Sequence, residues 1–132
     1  MKFTGLHIVG RGRASTLGFP TINLHDINTV LMEDGIYAAR VIICDNHFNA
    51  ALFVGESPTF KDRERSIELH LIGLQSGDIK KYHLDHLCST RIFVETIQYL
   101  RPVTKFTSRE TLILQLEKDV KEIESILISG KQ

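Results

Sequence analysis

The sequence has few cysteines, no tryptophan and no excess of charge of either sign. Its two cysteines, Cys44 and Cys88, lie far apart and outside any C-x-x-C pair, which argues against a disulfide framework or a zinc site. Lysine plus arginine and aspartate plus glutamate number 16 each, so no overall field attracts nucleic acid. A nucleic-acid-binding barrel of the OB type needs a basic groove with stacking aromatics, and this composition argues against one.

Long hydrophobic runs are also missing. No segment approaches the length that spans a bilayer, and the N-terminus has no apolar run typical of a signal peptide. A length of 132 residues fits one domain with one core. We therefore expect a single domain over residues 1–132 that is cytoplasmic, monomeric and not bound to membranes.

Alternating and apolar segments predict a mainly β domain. We expect strands over residues 2–9, 35–44, 48–54, 66–72 and 91–100. With one helix late in the chain, five or six mainly antiparallel strands favour a small closed or nearly closed barrel.

The late helix has a start signal, an apolar stripe and a stop. Thr107 fits the N-cap of a capping box in which Glu110 reaches back, and Gly130 ends the helix. Apolar residues recur at helical spacing at Leu112, Leu116, Val120, Ile123 and Leu127. We expect this stripe to cover one end of the sheet.

Residues 18–23 (GFPTIN) are a candidate cation site. Pro20 and the glycine before it restrict the backbone to few shapes. If the segment is extended, Thr21 and Asn23 present a hydroxyl and an amide oxygen on one face, and both suit Mg²⁺. The alternative is a Pro-initiated turn whose Thr and Asn bond their own backbone.

The preceding loop, residues 10–16, is basic and contains two glycines and two hydroxyl side chains. Such a loop can wrap an anion, but it lacks the fingerprint of a P-loop or of a Rossmann turn. The alternative is a solvated connection between strands.

Two further groups of polar residues are candidates. Glu68 and His70 share the outward face of the strand over 66–72, and a carboxylate on a rigid strand is well aimed; the alternative is an ordinary solvent-facing glutamate. His83 and His86 lack a convincing third metal ligand. We therefore interpret residues 73–90 as an irregular surface loop.

A series of motifs, taken together and in order, resembles the riboflavin kinase family. The series is Gly5-x-x-x-x-Gly10, Gly12-Arg13, residues 17–24 (LGFPTINL), residues 35–38 (GIYA), Gly55-x-x-Pro58-Thr59-Phe60, residues 68–71 (ELHL) and Tyr99-Leu100-Arg101-Pro102-x-x-Lys105-Phe106-x-Ser108. The resemblance implies a six-stranded antiparallel Greek-key-like barrel with a C-terminal helix. It also implies transfer of the ATP γ-phosphate to the 5′-hydroxyl of riboflavin, giving FMN. Because the chain starts at the kinase barrel, we expect no FAD synthesis by it.

The resemblance also assigns roles to residues. Thr21 and Asn23 would hold Mg²⁺ with ATP, and Glu68 would be the catalytic base. Nucleotide contacts would come from Gly10, Gly12, Arg13, Ser15, Thr16, Pro20 and Thr21. Glu68, Arg101 and Phe106 would contact the flavin, with the loop from Arg101 to Phe106 closing over it.

The chain departs from the family pattern at three places. Ala14 replaces a common glycine, and Phe53 replaces a small or polar residue. Residues 87–89 (LCS) stand where the family has an aromatic-Tyr-Gly element. This last departure motivates an alternative function, a flavin-binding carrier or sensor barrel with little or no kinase activity. The two functions differ in whether FMN forms from riboflavin, ATP and Mg²⁺.

Overall fold

The computed structural model describes residues 2–8, 21–25, 32–56, 65–74, 77–81, 91–104 and 107–129. Its elements are β1 (Lys2–Ile8), β2 (Thr21–His25), β3 (Gly35–Ile43), β4 (Asn46–Glu56), β5 (Arg65–Ile72), α1 (Asp78–Lys81), β6 (Arg91–Arg101) and α2 (Arg109–Ser129). The prediction of a mainly β domain with a C-terminal helix is confirmed. The segment over 21–23 is extended, as part of β2.

The strands form a closed antiparallel sheet in the order β1-β2-β5-β4-β3-β6, with β6 pairing back onto β1. β3, β4 and β5 are neighbours in sequence and in space, and β6 returns to lie beside β3, which is a Greek-key order. Closure leaves none of these six strands as an open edge. The site positions therefore lie on strands that are paired on both sides.

The core fills the inside of the barrel with inward-facing residues of all six strands. In β5 the alternation is regular, because Ile67, Leu69 and Leu71 are all buried in this core. The predicted apolar face of this strand is therefore correct, and Glu68 and His70 lie on the outer face of the barrel.

Helix α2 covers part of that outer face. Ile123 and Leu127 pack with Ala38, Ala51 and Ile72 in a second buried cluster. Alanines on neighbouring strands β3 and β4 leave room for the helix to lie close to the sheet. The expectation that the apolar stripe covers one end of the sheet is therefore wrong, because the helix lies across the outside of the strands.

The ends of α2 are capped by side chains. The N-cap is Ser108, not Thr107, since the Thr111 N–H donates to Ser108 Oγ at 3.2 Å. The predicted capping box with Glu110 is therefore wrong: the third residue after Ser108 is Thr111, and its hydroxyl donates to the Ser108 carbonyl at 2.9 Å instead of accepting from the Ser108 N–H. At the other end, where the last turn has no basic residue, Arg40 Nη2 donates to the Leu127 carbonyl at 3.0 Å and complements the helix dipole.

Within residues 73–90 the structure corrects one expectation. Asp78–Lys81 forms a one-turn helix, α1, instead of irregular loop. His83, His86 and residues 87–89 lie outside the described residues. In the described ranges no helix is long and apolar enough to cross a membrane, and no three His, Cys, Asp or Glu side chains are grouped to hold a metal ion.

Candidate active site

The strand register lines up three of the predicted site positions in one row across five strands. Asn23 pairs with Glu68, Glu68 with Phe53, Phe53 with Ile36, and Ile36 with Arg101. Neighbouring strands lie about 4.8 Å apart, so Glu68 and Arg101 are separated by roughly 14 Å along the row. The predicted metal, base and flavin positions therefore belong to one surface of the barrel.

Glu68 is buried although it lies on the outer face. Its exposed fraction is 8%, so the interpretation as an ordinary solvent-facing glutamate is wrong. Its Oε2 lies 3.8 Å from His70 Nε2, which is too long for a hydrogen bond. The His70 Nε2 atom is itself buried without a hydrogen-bond partner among the described residues. A carboxylate and an imidazole that are buried this deeply both need polar partners. A pair of such groups without a hydrogen bond between them is typical of a site that binds a polar ligand.

The β2 strand places the two predicted metal positions beside the strand that carries Glu68. Thr21 pairs with His70 and Asn23 with Glu68. Because both belong to a strand, the interpretation as a Pro-initiated turn is wrong at these positions. Their assignment as metal ligands stays a prediction.

Arg101, at the end of β6, binds helix α2 and the loop that follows β6. Its Nε donates to Asp119 Oδ1 at 3.0 Å and its Nη2 to Asp119 Oδ2 at 2.7 Å. Its Nη1 donates to the Pro102 carbonyl at 3.2 Å and to Thr104 Oγ1 at 3.4 Å. Gln115 Nε2 also donates to Asp119 Oδ1, at 2.9 Å. The guanidinium thus joins three parts of the chain.

Asp119 is not among the site residues predicted from the sequence. A signal was present, since Asp119 stands four residues before Ile123 on the buried face of α2 and interrupts its apolar stripe. A carboxylate at such a position requires a cation or several donors. Periodicity alone does not identify that partner as Arg101.

Comparison with known protein families identifies the family of this chain. The family model for riboflavin kinase (Flavokinase) matches residues 1–127. The chain belongs to the riboflavin kinase family.

Relatives of the chain agree with this membership. The riboflavin kinase of Yarrowia lipolytica is 29% identical over 157 residues, covering 92% of this chain and 78% of that protein. The trifunctional protein RibF/MnmA of Mycoplasmoides gallisepticum is 30% identical over 122 residues, covering 92% of this chain and 17% of that protein. The chain spans about a third of the length of other bacterial relatives. The crystal structure of riboflavin kinase from Trypanosoma brucei shares the fold, with a TM-score of 0.66 and 15% identity over 98% of this chain and 81% of that one.

Two glycines of the riboflavin kinase motif series make room for close approaches, Gly35 for the end of β6 and Gly55 for the loop that follows β6. A Cβ on Gly55 would lie 3.1 Å from Val103 Cγ2, and a Cβ on Gly35 would collide with the Tyr99 ring and lie 2.9 Å from the Arg101 carbonyl oxygen. The end of β6 therefore packs against the beginning of β3, and the start of the loop packs against the end of β4.

Other predicted site residues fall in parts of the chain that the structure does not describe. They are Gly10, Gly12, Arg13, Ser15, Thr16 and Pro20 of the nucleotide site and Phe106 of the flavin site. Their roles stay predictions from the family resemblance.

Proposed function

We propose that the chain is a riboflavin kinase, which transfers the γ-phosphate of ATP to the 5′-hydroxyl of riboflavin and releases FMN and ADP. The observation that carries this proposal is Glu68, a buried carboxylate on a strand paired on both sides, directly opposite Asn23 in the register. The match of the riboflavin kinase model over residues 1–127 supports it. The carrier or sensor function has no comparable support.

Glu68 orients and deprotonates the alcohol in this proposal. Its carboxylate accepts a hydrogen bond from the 5′-hydroxyl and takes its proton as the new oxygen–phosphorus bond forms and the bond to the ADP oxygen breaks. Since phosphoryl transfer has a loose transition state, the residue acts chiefly by positioning the oxygen in line. Its place on a strand with partners on both edges suits this role.

The donor chemistry at positions 21 and 23 fits Mg²⁺. Thr21 and Asn23 provide neutral hard oxygens, so most of the remaining coordination must come from phosphate and water. When bound, Mg²⁺ would neutralise charge on the ATP phosphates. Free Mg²⁺ should bind weakly, and Thr21→Val should weaken ATP binding in the presence of Mg²⁺ but leave Mg²⁺-independent binding unchanged.

The row from Asn23 to Arg101 suits an elongated substrate. Riboflavin carries its reactive hydroxyl at one end and its ring system at the other. In our proposal the hydroxyl lies at Glu68 and the ring extends towards the loop that begins at Arg101 and includes Phe106. By the family resemblance, residues 10–16 would contribute backbone N–H groups that bind the ATP phosphates. The cytoplasmic location and the monomeric state stay predictions.

The proposed reaction is tested with ATP labelled on its γ-phosphate. The purified chain, riboflavin and Mg²⁺ are incubated with the label, and the flavins are separated by chromatography. Label that appears in FMN supports γ-phosphoryl transfer. If riboflavin fluorescence is quenched on binding and no labelled FMN forms, the chain is a flavin-binding carrier and the proposed reaction is wrong.

A further inference from the structure

The bonds around Asp119 link helix α2 to the loop after β6. Asp119 is 2% exposed, and its two carboxylate oxygens accept from Arg101 Nε and Nη2 in a bidentate pair. Such paired, charge-assisted bonds are strong and directional. Gln115, one turn earlier on the helix, adds a third donor. The Asp119 carboxylate thus accepts hydrogen bonds both from β6 and from its own helix.

The same guanidinium fixes the first residues of the loop. Arg101 Nη1 donates to the Pro102 carbonyl and to Thr104 Oγ1, and the Thr104 hydroxyl donates back to the Pro102 carbonyl at 3.3 Å. At least four of the five N–H groups of the guanidinium are therefore engaged within the chain: Nε once, Nη1 twice and Nη2 once.

We propose that Asp119 is a positioning residue for the flavin. It holds the Arg101 guanidinium, and the guanidinium holds residues 102–104 in the conformation from which the loop covers the riboflavin ring. Arg101 thus acts by shaping the loop, and helix α2 becomes part of the substrate site. This inference rests on the proposed function, because the loop is placed over the flavin by the family resemblance.

The first test compares Asp119→Asn with the unmodified chain in steady-state kinetics. We expect the KM for riboflavin to rise about tenfold, the scale of one lost charge-assisted bond, while the KM for ATP changes less than about twofold. A merely structural role would lower the amount of folded enzyme and leave the KM for riboflavin unchanged.

A double-mutant cycle shows whether Asp119 acts through Arg101. If it does, the riboflavin KM of the Arg101→Gln/Asp119→Asn variant should match that of Arg101→Gln alone. If the two effects multiply, Asp119 acts on riboflavin binding independently of Arg101 and the proposal is overturned.

Two further variants control for an effect of misfolding on the riboflavin KM. Ile123→Val trims a buried apolar side chain one turn after Asp119 and removes no hydrogen-bond donor or acceptor, so it should leave the riboflavin KM unchanged. Thr104→Val removes an exposed hydroxyl that accepts from Arg101 and donates to the Pro102 carbonyl, and it should raise that KM about two- to threefold. If Asp119→Asn does not fold, Thr104→Val decides, and an unchanged KM in that variant contradicts the proposal.

Hydrogen exchange gives a readout that does not need catalysis. Without any ligand, the backbone amides of Val103 and Thr104 should exchange at least tenfold faster in Asp119→Asn than in the unmodified chain, and in Ile123→Val they should not. Equal exchange in Asp119→Asn and the unmodified chain would overturn the anchoring. Faster exchange in a chain that makes no FMN would instead leave the anchoring in place and remove the kinase function.

Discussion

Replacing Ile123 with alanine measures how much the packing of α2 on the barrel stabilises the fold. Ile123 is 0% exposed and contacts the cluster that includes Ala38 and Ala51. Removing three buried carbons costs about 2.4 kcal/mol in transfer free energy, and the cavity left behind brings the loss to about 3.5 kcal/mol. The unfolding entropy is about 2.1 cal/mol/K per residue. For 132 residues this loss therefore corresponds to a fall in Tm of about 13 °C.

Ile128→Ala is the matched control, because it makes the same substitution on the same helix at a residue that is 74% exposed. It should change the free energy of unfolding by less than about 0.5 kcal/mol. Urea titrations of both variants, followed by circular dichroism, provide the assay, with similar slopes showing that both unfold from the same state. Equal destabilisation by the two substitutions would refute the orientation of the helix.

Three other outcomes are expected. Arg40→Leu removes the bond to the Leu127 carbonyl and should lower the free energy of unfolding by about 1–2 kcal/mol. Hydrogen exchange should become faster only in the last turn of α2, and an equal increase along the whole helix would contradict this cap. Gly35→Ala places a Cβ against the Tyr99 ring and the Arg101 carbonyl and should cost about 1–3 kcal/mol in thermal melts, so an unchanged Tm would argue against this close packing. Removing divalent cations with EDTA should abolish FMN formation, which Mg²⁺ should restore; activity in EDTA would remove the metal from the proposed reaction.

The parts of the fold with strong local periodicity were predictable from the sequence. Strand β5 alternates apolar and polar residues, and α2 repeats apolar residues at helical spacing, so both elements and their buried faces follow from local patterns. Helix α1 has a single turn, which is too short to produce a period. At the start of α2, Thr107 and Ser108 are both good N-cap residues, and only the bond from the Thr111 N–H distinguishes them.

The site was less predictable because it depends on contacts between distant parts of the chain. The row that joins Asn23, Glu68 and Arg101 is set by strand pairing, which no local pattern specifies. The bond from Arg101 to Asp119 likewise joins two residues that are 18 positions apart in the sequence. The family resemblance identified Glu68, whereas its burial beneath the surface of the barrel became evident only from the structure.

The most direct test of the central claim compares Glu68→Gln with Glu95→Gln. Both replace a strand glutamate with its neutral isostere, but the side chain of Glu95 is 38% exposed and pairs with Lys2 at 3.4 Å, away from the proposed chemistry. Glu68→Gln should lower kcat for FMN formation by about two to four orders of magnitude while riboflavin still binds, and Glu95→Gln should keep its full rate. A Glu68→Gln variant with an unchanged kcat would contradict the role of Glu68 as the base.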